Sequence, residues 1–402
     1  MGRDLGSAVN ALDGLLDRLR TKIDETGPRT TDFTSRWHDE RVAARIGAAL
    51  GTCFTVCFVT GLLSHFVQHP QPWFVWPAHP ASLYRYTQGL HVLTGIAAVP
   101  LLLVKLWTVY PRLFGVPRLG GPVRMLERAS VAALVASALF QLLTGLQNIA
   151  HWYPWGFSFP PVHYALAWVS IGAIAVHVAV QLPAIRLGLS RPLQPLGDHA
   201  EGPPPEGPSR RWLLGAALAG AAGAVLATAG QTVSWLRWVS VLAVRTGEGP
   251  QGVPVNKTAR GAGVLTAATD PGWRLTVTGP GGTRSLSLAD LTALPQHDVD
   301  LPIACVEGWS AVATWTGVRV RDLADAVGAG PDASLRFTSL QASGGYRVSE
   351  LPARHVRAAE SLVALRVGGE PLALDHGYPA RLIAPSRPGV LQTKWLSRIE
   401  VI

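Results

Sequence analysis

Cysteine is scarce in this 402-residue chain. Cys53 and Cys57 share one apolar run, and Cys305 is the only cysteine after them. A thiolate is a soft ligand suited to a transition metal, and a bound metal deprotonates the thiol outright. On an oxidising side of a membrane a bare thiol invites oxidation and wrong disulfides. The stretch "PIACVEGWS", residues 302–310, therefore asks what protects its sulfur; metal ligation is one answer, and burial as a small core residue is the other. Cys53 and Cys57 read as core residues, and three cysteines make no disulfide framework. Histidine supplies a second possible chemistry. His163 and His177 are 14 apart in one apolar run, which puts both on one helical face about 21 Å apart along the axis. His91 lies 21 positions before Arg112 and His163 lies 23 before Arg186, so the two sit at similar depth in their runs. Ionisable groups inside apolar runs are costly and usually functional.

These residues must be positioned by two different kinds of structure. Charged residues make up 15% of the chain and hydrophobic residues 48%, a balance that suits a membrane protein. Four apolar segments, 44–67, 88–110, 129–149 and 163–186, are each long enough to cross a bilayer, and a fifth begins at Arg210. The net charge of +9 comes largely from arginines between these segments, as in a chain oriented by positive-inside loops. That placement argues against nucleic-acid binding. The basic loops belong inside, and the Trp/Tyr-rich loops "HPQPWFVWPAHPASLYRYTQ" and "HWYPWGFSFPPVH" belong at the outer interface. The expected layout is a cytoplasmic segment at 1–40 without a signal-peptide pattern and a four-helix membrane domain at 41–190. A Pro/Gly-rich linker at 191–211, a fifth helix at 212–234 and an exported domain at 235–402 follow. "SRRWLL" before the fifth segment matches a twin-arginine export signal placed internally, or two positive-inside arginines before an ordinary span.

After about residue 255 the pattern changes to short strands and turns. "WRLTVTG", "SLRFTSL", "ARLIAPS" and "WLSRIEVI" read as strands, "SLSLADLTAL" as a strand followed by a helix from near Ser287, and "TWTGVRVRDLADAVGAG" as a strand and a helix ended by Gly328 or Gly330. Such a mixture predicts an α+β domain with its own core. The fold class is multi-domain: an all-α transmembrane bundle of four helices plus a fifth anchoring helix, then an α+β domain.

"CVEGWS", "WTGV", "SGGYRVSELP", "GGEPLALDHGYPARLIAPSRPG" and "TKWLSRIEV", in that order, resemble the molybdopterin-binding domain of the sulfite oxidase family over nearly all of 270–402. The resemblance implies that Cys305 ligates molybdenum. It implies that Tyr346 lies near the metal as a proton donor or hydrogen-bond partner, and that Arg381 meets an anion, either the pterin phosphate or an oxyanion substrate. His376 and Lys394 are implied to hold the pterin or its phosphate. Asn256 and Lys257 fall where the family has a cofactor-contacting segment, although "VPVNKTA" departs from its usual form. The chain stops at "RIEVI", where classical members continue into an immunoglobulin-like domain, and its size is nearer the bacterial periplasmic branch. The membrane segments resemble four-helix b-type cytochromes, which use the 14-residue histidine spacing for two haems. Their similar depth makes His91 and His163 the candidate ligands of one outer haem b, with His65 and His151 near that level as substitutes; His177 lies deeper with no histidine of the first three spans opposite it, so one or two haem b are expected.

The functional expectation is a membrane-bound molybdopterin oxidoreductase in the cell membrane, with its C-terminal domain outside. It would transfer oxygen atoms to or from a small oxyanion or an S- or N-oxide, and exchange electrons with membrane haem, quinone or another electron-transfer partner. Two rivals remain open: a membrane-tethered, non-catalytic binding or sensory module on a pterin fold, and an enzyme whose helices are a plain lipid anchor.

Overall fold

The structure is a computed structural model that describes residues 37–115, 121–193, 208–243 and 249–402, with scattered positions between 14 and 35. Most of the expected segment 1–40 and of the linker at 191–211 lies outside the described residues. Among the described residues five helices are long and apolar enough to cross a membrane: α1 (Glu40–Gln68), α2 (Leu83–Val109), α3 (Pro122–Ile149), α4 (Phe159–Ser190) and α5 (Arg210–Ala229). Each outruns or reshapes its apolar segment because backbone hydrogen bonding continues through polar residues that a bilayer would exclude. Asp39 starts α1, its carboxylate accepting from the Arg41 backbone amide at 2.8 Å.

The chain divides into two compact units. One holds residues 1–58, 94–147 and 153–225; the other holds 59–93, 148–152 and 226–402. The second unit therefore combines the C-terminal domain with the ends of α1, α2 and α3 and the connections beside them. In the first unit, Leu213, Ala217 and Ala221 of α5 bury against Val42 and Ile46 of α1 and Leu101 of α2. Arg210, the first of the two adjacent arginines, pairs with Asp39 at 2.9 Å. The fifth helix is thus packed among the others. It ends at Ala229, short of residue 234, because the chain turns back there: the Gly230 amide donates to Ser240 Oγ at 2.7 Å and the Leu242 amide to Ala227 O at 2.7 Å.

In the second unit, β1 (Leu275–Gly279), β2 (Gly282–Leu286), β5 (Leu335–Ser339), β6 (Val348–Leu351) and β10 (Leu396–Val401) form a sheet ordered β2-β1-β10-β5-β6, with β1 and β10 parallel. A second sheet runs β3 (His297–Ala304), β4 (Ser310–Arg319), β7 (Leu362–Val367) and β8 (Glu370–Pro371), and β9 (Arg381–Ile383) pairs with β7. Leu275, Val277, Phe337 and Ile399 of the first sheet meet Val318, Val363 and Leu382 of the second in one core. Alternation along each strand puts these side chains on facing surfaces. Short helices lie between the strands or just ahead of them. α6 (Leu265–Ala268) precedes β1, α7 (Leu288–Ala293) is capped by Ser287 in a capping box with Asp290, α8 (Val320–Asp325) ends before Gly328 at φ +73°, and α9 (Ala353–Val356) follows β6. β3 holds Pro302 at the sheet edge, where a missing amide breaks no second ladder.

Candidate functional site

Cys305 follows the last residue of β3, and its chain neighbours turn tightly into β4. The Cys305 amide donates to Trp309 O at 2.9 Å and the Gly308 amide to Cys305 O at 3.1 Å, with Gly308 at φ +96°. This turn leaves Cys305 1% exposed, with its sulfur in a pocket that Asn256, Trp309, His376, Arg381 and Lys394 also line. Of the residues expected to ligate the metal or hold the cofactor, Cys305, His376, Arg381, Lys394 and Asn256 therefore line one pocket.

Two cations in this pocket hydrogen-bond to no carboxylate among the described residues, and the Asp375 carboxylate acts on Lys394 only through its charge. Arg381, on β9, is 3% exposed. Its Nη1 donates to His376 O at 3.0 Å and its plane lies 5.1 Å over Trp315, while its Nε is buried with no hydrogen-bond partner. Burial pulls its pKa down to about 9. Lys394 donates through Nζ to Lys257 O at 2.7 Å, Asp375 O at 2.9 Å and Asn256 Oδ1 at 3.3 Å, all neutral acceptors. Burial first, then the Arg381 charge, lowers its pKa to about 7. The Asp375 carboxylate is engaged by the Ala259 amide at 2.7 Å. His376, 1% exposed, is held near pKa 4 by burial, with Nε2 donating to Pro250 O at 2.6 Å. It contributes a neutral wall, and the positive charge comes from Arg381 and Lys394.

A buried thiol beside two desolvated cations fits an anionic, metal-bearing cofactor: sulfur for the metal, guanidinium and ammonium for an anionic tail. Among the described residues no group of three His, Cys, Asp or Glu could hold a metal ion. The pocket thus offers one soft donor, the Cys305 thiol. Gly377 shapes this cradle. It sits at φ +108°, and a Cβ there would lie 3.0 Å from Lys394 Cβ and 3.1 Å from Arg381 Cβ. Gly377→Ala is expected to cost about 1–3 kcal/mol of stability from backbone strain alone and to lower cofactor retention. Thermal unfolding and molybdenum content of the purified variant check both.

Tyr346 is set apart from the pocket lining. It packs with Val67, Tyr84, Ala304 and Leu391, and its Oη donates to Gln68 Oε1 at 3.0 Å. Burial raises its pKa, and the nearby Cys305 adds to the effect. Its expected role as a proton donor therefore meets a competitor, since its hydroxyl proton already has an acceptor.

The turn after Cys305 is held by residues outside the motifs, and one of them, His151, was expected at the level of a haem instead. Gln88 of α2 and Asn148 of α3 donate to the Val306 carbonyl at 3.4 and 3.3 Å, and Thr232 Oγ1 donates to Gly308 O at 3.4 Å. The Ser310 amide donates to Gln231 O at 2.9 Å, and His151 pairs with Glu307. Polar residues at the ends of apolar helices were the available signal. Of the expected haem ligands, His91 has Nδ1 3.3 Å from Thr60 Oγ1, His163 O accepts from Gln141 Nε2 at 2.9 Å, and His177 lies part-buried on α4. His65 stacks on His69 with ring centroids 4.5 Å apart.

Residues 262–402 match the family model described as "Oxidoreductase molybdopterin binding domain". The chain is 35% identical over 116 residues to the uncharacterized oxidoreductase YuiH of Bacillus subtilis, covering 29% of this chain and 57% of that protein. It is 31% identical over 157 residues to mitochondrial sulfite oxidase of Mus musculus, covering 32% of this chain and 29% of that one. The chain thus spans little more than half of the first relative and under a third of the second. The crystal structure of the sulfane dehydrogenase SoxCD from Paracoccus pantotrophus aligns with 38% of this chain and 44% of its own at 21% identity, with a TM-score of 0.30.

Proposed function

We propose, from the premise that residues 262–402 are a sulfite oxidase-type molybdopterin-binding domain, that this chain is a membrane-bound molybdopterin-dependent oxidoreductase. One observation carries the reading: Cys305 shares its pocket with Arg381 and Lys394, two desolvated cations with no carboxylate hydrogen-bonded to them within the domain. When bound, the molybdenum centre supplies two-electron oxygen-atom transfer. The chain's own residues do the rest. Cys305 provides the thiolate, Arg381 and Lys394 hold the anionic tail, and Asn256 and the neutral His376 wall it in. Trp315 against Arg381 and Trp395 against Lys394 keep water from the cations and so strengthen their pull on an anion. Tyr346 orients what approaches from the Cys305 side. The substrate on this reading is a small oxyanion or an S- or N-oxide.

Five membrane-length helices and arginine-rich connections support a location in the cell membrane with the C-terminal domain outside. A centre that moves two electrons needs a route for them, and His91, His163 and His177 in the apolar helices are the candidate ligands of one or two haem b that exchange electrons with quinone. The purified full chain is expected to contain stoichiometric molybdenum and to show sharp b-type bands in a reduced-minus-oxidised spectrum. Protein without molybdenum sinks the catalytic reading, and protein with molybdenum but no haem bands leaves the helices as an anchor. Assays against sulfite and a panel of S- and N-oxides identify the substrate.

A further inference from the structure

Gln68, the last residue of α1, presents the two ends of its side-chain amide to different partners. Nε2 lies 3.1 Å from the Ser64 backbone carbonyl and 3.1 Å from Ser64 Oγ, and Oε1 lies 3.0 Å from Tyr346 Oη. A backbone carbonyl can only accept, so the end facing Ser64 has to be the NH2 group. Turning the amide over would set two carbonyl oxygens against each other at that distance. Ser64 Oγ is in turn bonded to Tyr84 Oη at 2.8 Å, and Tyr84 is 1% exposed, which holds the Ser64 side chain in place. With the amide fixed, its oxygen faces the phenol, and Tyr346 must be the donor in that bond. Tyr346 has one proton. Its oxygen therefore has only lone pairs left to offer on the Cys305 side, where Ala304 and Leu391 pack around it.

We propose that Gln68 is a positioning residue that turns Tyr346 into a hydrogen-bond acceptor toward whatever enters beside Cys305. The entering group it favours carries a proton, such as water or a protonated oxyanion; the bare oxygen of an S- or N-oxide, which needs a donor, is disfavoured. This rests on the reading of the Cys305 pocket given above and narrows its substrate class. It also gives the end of a membrane-length helix a part in the reaction site, through a contact between residues 278 positions apart.

The tyrosine Fermi doublet in ultraviolet resonance Raman spectra tests it on the full chain in detergent, with or without metal. The intensity ratio of the doublet is low for a phenol that donates and high for one that accepts. The difference between the wild type and Tyr346→Phe isolates the Tyr346 signal, which is expected to be of donor type. Gln68→Met is expected to shift that signal away from the donor type. Gln68→Glu, whose carboxylate still accepts, is expected to retain it. In the loaded enzyme Gln68→Met is expected to lower kcat/KM by about 10–100-fold, as loss of a partner behind a site residue does, with Gln68→Glu closer to wild type. A wild-type Tyr346 signal of acceptor type, or one unmoved by Gln68→Met, overturns the proposal. If Gln68→Met does not fold, the wild-type difference spectrum and Gln68→Glu decide it alone. Absent molybdenum sinks the functional reading and leaves this signature to stand; an acceptor-type signature with molybdenum present does the reverse.

Discussion

Cys305→Ser is expected to keep the fold and lose the activity. The two side chains are close in size, and the site is 1% exposed. A hydroxyl there costs about 1–3 kcal/mol of burial without a partner, within what a domain of this size tolerates. The chemistry changes far more. A thiolate forms readily and is a soft ligand, whereas an alcohol stays protonated and is a poor partner for a transition metal. Losing a residue behind a metal ligand already costs about 10–100-fold, so replacing the protein's own ligand should cost at least about 100-fold in turnover. Arg381 and Lys394 remain in place, so part of the pterin should stay bound. Three measurements on one preparation check this: a thermal midpoint near wild type, pterin still extractable, and turnover at the assay floor. Wild-type turnover from the serine protein would remove the thiolate from the mechanism.

Lys394→Met is expected to have the second-largest effect, on cofactor retention. Truncating one member of a desolvated, hydrogen-bonded charge pair typically costs about 2–5 kcal/mol of binding. Lys394 becomes such a member once an anion enters beside its Nζ. The same residue gives the cofactor-free protein a pH signature. Its ammonium has a folded pKa of about 7 against the ordinary lysine value of 10.5. Below about 7 both folded and unfolded chains carry the proton, and the folded state bears the full desolvation penalty. Between about 7 and 10.5 the unfolded chain binds more protons, so stability rises with pH across that window and levels off above it. Arg381 and Lys257 disfavour the charged form, while Asp375 and Cys305 favour it. Thermal midpoints of cofactor-free wild type should therefore climb from neutral to alkaline pH, and Lys394→Met should flatten the climb. A wild-type profile with no rise in that window would show the ammonium to be well solvated.

What could be read from the sequence follows the range of the interactions involved. The membrane helices were legible because their signal is local: 44–67 became Glu40–Gln68 and 163–186 became Phe159–Ser190. Cys305, His376, Arg381 and Lys394 were legible because each sits in a short stretch whose neighbours set its geometry. Gly377 ahead of Arg381 and the positive φ of Trp395 (+53°) beside Lys394 are such local devices. Gln68, Gln88 and Asn148 were invisible for another reason. Each acts on a residue between 158 and 278 positions away, and nothing periodic in an apolar helix marks which polar side chain at its end has a distant partner.

The grip of Gln88, Asn148 and Thr232 on the peptide groups just past Cys305 bears on how the chain can be cut and recombined. A soluble fragment starting near residue 249 would keep every motif and both sheets, yet its sulfur-bearing turn would lack these three clamps. Grafting the C-terminal half onto another protein's membrane helices would fail in the same way unless residues 64–93, 148–151 and 231–232 travelled with it. The natural unit of exchange in this protein is therefore discontinuous, and its seam runs through the helices.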